Sequence, residues 1–300
     1  MSDVLILAGP TASGKTDLAI ELARTFDAEI VGADSRQIYR DMPIGTAVPT
    51  PEQLAAVPHH CIAFLDPNQR YSAARYAHDA LEAIEGIGRR GRRAIVAGGT
   101  GFYIRALTGA IALAPQYDEA VRRRLAGEAR VHPPEFLHRW LALRHPERAA
   151  RLHSGDTYRV LRALEVALAP DSHLRETPPR TLASEGRGWM LAFLDVPLAE
   201  LDARIARRTT RMLAAGLVEE AEWVGEGASA ASAVGYPQAF AFLRGWSTPH
   251  ELRASLERAT KRYARRQRAW FRNEPDALWL APEAVAAAAR EKLGWSAKLR

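Results

Sequence analysis

The chain has 300 residues, 47% of them hydrophobic and 25% charged, an ordinary balance for a globular protein that holds one large domain or a core with a smaller insert. Apolar runs such as Val4-Leu5-Ile6-Leu7-Ala8 are far too short to cross a bilayer, and the single Cys61 excludes an intrachain disulfide or a cysteine metal site. A net charge of +6 favours an anionic partner, and Met1-Ser2-Asp3 opens without a cationic leader, so a cytoplasmic enzyme with no membrane contact is expected.

Residues 4–8 read as a buried strand, followed by a glycine turn and a helix over about 15–25. Further apolar stretches cover 28–33, ending at Asp34, 93–97, ending at Gly98-Gly99, and 189–196, ending before Pro197. Short apolar runs alternating with helical patterns predict βα units and a parallel sheet. Ligands of such sheets bind at the carboxyl ends of the strands, where Gly9, Asp34 and Gly98 all fall. Residues 115–187 are Arg-, His- and Ala-rich and read as a helical insert, with 171–188 as an exposed loop. The expected fold is α/β: a P-loop core (1–114 and 188–300) with a parallel sheet flanked by helices, plus a helical insertion domain (115–187). The tail adds a helix over 283–293 with no evident chemistry.

Gly9-Pro10-Thr11-Ala12-Ser13-Gly14-Lys15-Thr16 fits GxxxxGK[ST] between a strand and a helix. Glycines let backbone N–H groups curl around phosphate oxygens, the helix N-terminus adds positive potential, Lys15 adds a point charge, and the Thr16 hydroxyl suits Mg²⁺. Asp34, at the end of the second strand, either acts as a base or holds a metal's water shell, or else starts an Asx turn or helix cap. Gly98-Gly99-Thr100-Gly101 permits close approach by a ligand at the third strand end. Arg204, Arg208 and Arg211 share a helix face that either clamps diphosphate oxygens or is solvated. Asp156, Arg159 and Arg162 pose the same alternative.

Over residues 252–272, Leu252, Leu256, Ala259, Tyr263 and Trp270 gather on one helix face, while Arg258, Lys261, Arg262, Arg265, Arg268 and Arg272 crowd the other. No acidic residue lies between Arg258 and Arg272, and a single-sign stripe is an electrostatic footprint for a phosphodiester backbone. Adjacent His59 and His60 point to opposite sides of an extended chain and do not chelate one ion.

With these residues in hand, the sequence resembles the tRNA isopentenyltransferase family, the bacterial tRNA dimethylallyltransferases. The resemblance runs from Leu5 to about Arg272 and rests on GPTASGKT, DSRQIY, Pro58-His59-His60, GGTGFY, RALEV, Met212 to Gly216, Val234-Gly235-Tyr236 and KRYARRQRAWFR. It implies dimethylallyl diphosphate as donor, with the P-loop, often labelled ATP-binding, holding the diphosphate. The implied acceptor is N6 of the adenosine beside the anticodon in the tRNA anticodon stem-loop, with Mg²⁺ as cofactor and a monomer as the working unit. Residue by residue, the resemblance implies that Gly9 to Thr16 and Arg208 bind the diphosphate and that Thr16 meets the metal. Asp34 would be the general base, with Thr100 and Arg122 tied to catalysis and tRNA. The implied tRNA contacts are Asp34, Ser35, Arg36 and Gln37, then Tyr158, Arg159 and Arg162, then Gly235 and Tyr236, and finally Arg265, Arg266, Gln267, Arg268 and Arg272. Two stretches depart from the family pattern. Pro237-Gln238 stands where a basic residue and Glu are more usual, and Cys61-Ile62-Ala63 where Leu-Ile-Asp is usual, so no role is carried onto Asp66. The same motifs leave three rivals: an ATP-dependent small-molecule kinase, an isopentenyltransferase of free nucleotides and a nucleotide-gated RNA-binding module.

Overall fold

The structure, a computed structural model, describes residues 3–111, 119–168 and 180–297. The first strand, β1 (Val4–Ala8), is buried at all five positions, as an apolar run covered on both faces must be. It is followed by α1 (Lys15–Phe26), β2 (Ala28–Gly32), the short α2 (Pro43–Thr46), α3 (Pro51–Ala56), β3 (His59–His60), α4 (Ala73–Arg89), β4 (Arg93–Gly98) and α5 (Gly101–Thr108). Four helices come next: α6 (Glu119–Val131), α7 (Pro134–Arg144), α8 (Pro146–Ala149) and α9 (Thr157–Ala167). The chain then returns through β5 (Trp189–Leu194), α10 (Leu198–Ala214), α11 (Leu217–Val224), α12 (Tyr236–Leu243), α13 (Pro249–Phe271), β6 (Ala277–Leu280) and α14 (Val285–Leu293).

All six strands are parallel, in the order β3-β2-β4-β1-β5-β6. This is the parallel α/β core expected from the sequence, widened by two short strands that the apolar pattern did not signal. β3 is two residues long, and β6 is a four-residue edge strand with no fully buried position. In the order of the sheet, the chain runs from β1 to β2 on one side and later from β4 to β5 on the other. β1 is therefore a topological switch point, with an open crevice at the strand C-termini beside it. The loops after β1, β4 and β2 are neighbours there, which brings Gly9, Gly98 and Asp34 to one place. Gly98 has no room for a side chain, because a Cβ would stand 2.1 Å from the Ala33 carbonyl oxygen. The residue type thus sets how closely the two strand ends approach.

One core cluster packs α1, through Ile20, Leu22 and Phe26, and α14, through Val285 and Ala289, on Leu5, Leu7, Ile30 and Ile95 of the sheet. A second joins Ile38, Met42 and Leu65 to Ala221, Tyr236 and Phe240. The chain divides into two compact units, 1–111 with 180–300, and 112–179. The second unit has its own core of Leu125, Leu137, Leu141, Val160 and Leu164.

Residues 180–187, grouped with the insert by composition, belong to the first unit. Leu182 is fully buried and its N–H donates to the Leu107 carbonyl at 2.8 Å. The start of the expected insert at 115–118, and 171–179 of the expected loop, lie outside the described residues. Among the described residues, no helix is long and apolar enough to cross a membrane.

Candidate active site

A cavity of about 900 Å³ opens at the carboxyl ends of the central strands. The P-loop forms its floor. Gly14, with φ of 87°, caps α1 in the left-handed conformation that glycine adopts freely, and Ala12 takes φ of 65°. Side chains from three helices hold the loop. Gln267 Oε1 accepts the Thr11 N–H at 2.8 Å, Arg208 Nη1 donates to Thr11 Oγ1 at 3.0 Å, Arg204 Nη1 donates to the Ser13 carbonyl at 2.9 Å, and Lys15 Nζ donates to the Pro10 carbonyl at 2.7 Å. Burial pulls the Lys15 ammonium down to about 8, with Asp34 acting to raise it and Arg208 to lower it. Arg208 is lowered from its usual range by burial and held up by Asp34.

For Arg204 and Arg208, the alternative of a solvated helix face is thereby overturned. Both are partly buried against the P-loop, and exposed Arg207 and Arg211 line the same cavity. A loop of N–H groups with one ammonium and several guanidiniums is built to hold a multiply charged anion.

Asp34 stands at the next strand end but one. Its Oδ1 accepts the N–H groups of Arg36 at 2.9 Å and Gln37 at 3.4 Å, so it does make the Asx turn. It also lines the cavity with Lys15 and Arg208, and Oδ2 has no hydrogen bond from the described residues. The turn and the base are therefore compatible: one oxygen orients the carboxyl group and the other is free to take a proton. Thr100 Oγ1 accepts the Ser35 N–H at 3.0 Å, which ties the glycine turn after β4 to the residue beside Asp34. Gln37 Nε2 donates to the Ala47 carbonyl at 2.7 Å, which anchors the wall formed by the turn at 43–49.

That wall is held by a residue the sequence reading missed. Glu220, 9% exposed on α11, accepts the N–H groups of Ile44 at 2.8 Å and Gly45 at 2.7 Å, and the Tyr236 hydroxyl at 2.8 Å. Burial and then Glu220 push the Tyr236 phenol well above its usual range. A glutamate among Leu217, Ala221 and Val224 on a buried helix face was the available signal, since such a carboxylate must find donors. Tyr236 itself is 0% exposed, which corrects its assignment as a tRNA contact: the side chain is spent on the wall, and Gly45 is a glycine because a Cβ would lie 2.5 Å from the Tyr236 ring. Gly235 is buried beside it, its N–H donating to Gln238 Oε1 at 3.0 Å, so Gln238 serves as a helix-cap acceptor.

The basic helix also differs from expectation. The carboxylates missing from its own sequence come from elsewhere in the fold. Lys261 and Arg265 meet Asp202 at 3.8 and 3.3 Å, and Arg268 meets Asp195 at 2.9 Å while donating to the Val196 carbonyl at 2.9 Å. Arg268 and Arg272 also lie over the Trp279 ring. The stripe is thus not free along its length. Gln267 is 6% exposed with both ends of its amide used, Nε2 donating to the Gly99 carbonyl at 3.0 Å, so it is corrected from a tRNA contact to a brace. Arg258, Arg262 and Arg266 are exposed and have no acidic partner among the described residues.

Arg122, Tyr158, Arg159 and Arg162 belong to the second unit. Tyr158 is 69% exposed, Arg159 meets Asp156 at 3.4 Å and Arg162 meets Glu165 at 2.9 Å. His60 Nε2 pairs with buried Glu29 Oε2 at 2.7 Å while His59 Nδ1 faces the Val57 carbonyl, so the two rings share no ion. Burial pushes the Cys61 thiol up to about 12, which disfavours the thiolate.

Among the described residues, the one group of three possible metal ligands is His78, Asp79 and Glu82 on α4, and none of them lines the cavity. Among the oxygen-bearing residues that line the cavity, the Thr16 hydroxyl and the Asp34 carboxylate stand at the P-loop and the strand end and do not cage an ion by themselves. They fit Mg²⁺, which keeps few protein ligands and completes its shell with phosphate oxygens and water.

The IPP transferase family profile matches residues 37–274. The chain is 43% identical over 283 residues to the tRNA dimethylallyltransferase of Anaeromyxobacter dehalogenans, covering 93% of this chain and 95% of that one. It is 40% identical to the tRNA dimethylallyltransferase of Geobacter sulfurreducens, covering 92% and 91%. Its structure is similar to that of the full-length tRNA isopentenylpyrophosphate transferase from Bacillus halodurans, with a TM-score of 0.70, 30% identity, and 98% and 96% of the two chains covered. A eukaryotic dimethylallyltransferase acting on tRNA shares the fold at a TM-score of 0.78 and 21% identity, with 100% and 82% covered.

Proposed function

The chain belongs to the IPP transferase family, and we propose that it transfers the dimethylallyl group of dimethylallyl diphosphate to N6 of an adenosine beside the anticodon of tRNA. The observation that carries this reading is the meeting of Asp34, Lys15 and Arg208 in one cavity. An anion-holding loop alone serves many reactions, whereas an oriented carboxylate beside it supplies a proton acceptor for a nucleophile attacking the anion's ester carbon.

The N6 amine is a weak nucleophile because its lone pair is delocalised into the ring. Its target carbon is reachable only when the base leaves the stack and enters the cavity. The N6–C bond forms as the C–O bond to diphosphate breaks. The N6 proton goes to Asp34, and the bonding electrons leave with the diphosphate. Lys15, Arg208 and the loop N–H groups stabilise the charge that builds on the departing oxygens. Mg²⁺, met by the Thr16 hydroxyl, would neutralise part of the same charge. Thr100 keeps Ser35, and so the Asp34 turn, in place.

Exposed Arg258, Arg262 and Arg266 suit the phosphates of the anticodon stem-loop; a cytoplasmic monomer as the working form is part of the same proposal and rests on the family resemblance alone. The test is mass spectrometry of unmodified tRNA incubated with the protein, Mg²⁺ and dimethylallyl diphosphate, with γ-labelled ATP offered in parallel. A mass gain of one dimethylallyl group on adenosine is expected; label arriving from ATP instead would make the protein a kinase. Asp34→Ala should lower the single-turnover rate by about 10²–10⁴.

A further inference from the structure

One face of α13 turns into the cavity and carries Leu256, Thr260, Tyr263, Arg266 and Gln267. The amide of Gln267 is committed to the P-loop and to Gly99. Tyr263, one turn earlier, has no such commitment: its hydroxyl makes no hydrogen bond to the described residues, although the side chain is largely enclosed. A phenol hydroxyl in that position ordinarily finds a partner. The charged groups acting on it are Asp34, Arg36, Arg266 and Arg208, one carboxylate against three guanidiniums, and the Arg266 guanidinium lies 5.7 Å over its ring. Burial first, and then Asp34, keep the phenol protonated, so it is a donor. The surrounding field draws an anion to the spot, and the proton is available to that anion's oxygen.

We propose that the Tyr263 hydroxyl donates a hydrogen bond to a diphosphate oxygen of the prenyl donor, so that the basic helix contributes a ligand-contacting residue to the P-loop site. This rests on reading the cavity as the diphosphate site. A neutral phenol adds a donor to the departing group without adding a cation that would hold the product after transfer. The position is legible only in three dimensions, because helical periodicity alone puts Tyr263 with the apolar residues of α13.

The experiment is titration of the full chain with inorganic diphosphate and Mg²⁺, using Tyr263→Phe, Tyr263→Leu and Lys15→Ala, with tRNA affinity and thermal melting measured on each. Tyr263→Phe keeps the ring and its Arg266 contact and removes only the hydroxyl. It should weaken diphosphate binding about tenfold, the loss of one hydrogen bond to a charged group, with tRNA affinity within about twofold and melting unchanged. Tyr263→Leu should bind diphosphate as weakly as Tyr263→Phe. Wild-type diphosphate affinity in Tyr263→Phe overturns the proposal, whether the loss then appears in tRNA affinity or only in the Leu variant. Lys15→Ala separates the two levels: undiminished diphosphate binding there defeats the reading of the cavity itself, whereas weak binding there beside a wild-type Tyr263→Phe defeats only the role of Tyr263.

Discussion

Gln267 joins Thr11 to Gly99: its Oε1 accepts the Thr11 N–H and its Nε2 donates to the Gly99 carbonyl, at 2.8 and 3.0 Å. One amide on the basic helix thereby sets the spacing between the P-loop after β1 and the glycine turn after β4. An amide is the side chain that can accept and donate at once from one plane.

Two substitutions separate these bonds. Gln267→Leu leaves the Thr11 N–H and the Gly99 carbonyl without partners, at a cost of about 1–3 kcal/mol each if they stay dry. Gln267→Glu keeps the acceptor, loses the donor and adds a negative charge beside the proposed diphosphate. Both should melt several degrees below wild type, and the Glu variant should bind diphosphate more weakly than the Leu variant. Equal diphosphate affinity in the two would mean that no anion sits near this amide.

The Lys15 ammonium, pulled down to about 8 by burial, predicts a pH dependence of donor binding. Below about pH 8 the free protein already carries the charge, and affinity should be flat. Above that pH the lysine is neutral until an arriving diphosphate raises its pKa, so binding takes up a proton. Affinity should then fall by up to about tenfold per pH unit. Dimethylallyl diphosphate titrations from about pH 6.5 to about pH 9.5 measure this, and Lys15→Arg should flatten the upper limb because arginine keeps its charge there. A wild-type profile that stays flat across that range would remove Lys15 from the binding step.

Glu29 offers a prediction about stability. Its hydrogen bonds to Arg90 hold its carboxyl down to about 2 from an ordinary value of 4.5, against the opposing effect of burial, and His60 adds to the lowering. A depressed folded-state pKa contributes stability that is complete above the unfolded value. That stability is lost as pH falls from about 4.5 towards 2, and at most about 3 kcal/mol is at stake. Denaturant unfolding of wild type and Glu29→Gln at about pH 7 and about pH 3 should show the gap between them narrowing in acid. A gap that stays constant would show that the carboxylate's charge contributes nothing.

The arginines of α13 fall into two groups with different expected phenotypes. Arg258 and Arg262 are exposed without acidic partners among the described residues, whereas Arg268 is held by Asp195, the Val196 carbonyl and Trp279. Neutralising Arg258 and Arg262 together should flatten the salt dependence of tRNA binding, the slope falling by about 0.7–0.9 for each phosphate no longer neutralised. Arg268→Gln should instead lower the melting temperature. A salt slope unmoved by Arg258→Gln with Arg262→Gln would place the RNA on another surface.

The P-loop, the strand ends carrying Asp34 and Gly98, and the parallel sheet were legible in the sequence because each depends on residues close together in the chain. A strand that ends in glycine before a helix, or an apolar run that ends in aspartate, carries its own structural meaning within about ten residues. β3 and β6 were not legible, since two residues at His59–His60 and four at Ala277–Leu280 are too few to show a period.

What the sequence determined by itself is which residues can hold a phosphate and where the strands place them. Only the tertiary structure decided which charges are still free to act there. Asp202 and Asp195 neutralise part of a helix whose own sequence from Arg258 to Arg272 carries no acid. Arg208, ambiguous on its own helix, is turned by packing onto Thr11. Tyr236 is withdrawn by Glu220, and Tyr263 is turned into the cavity. Hydrogen-bond and charge pairing between segments up to 256 residues apart leaves no trace in local periodicity. Hydrogen bonds fall off within a few ångströms and screened charge pairs within about 10 Å, so folding alone determines which partners come within reach.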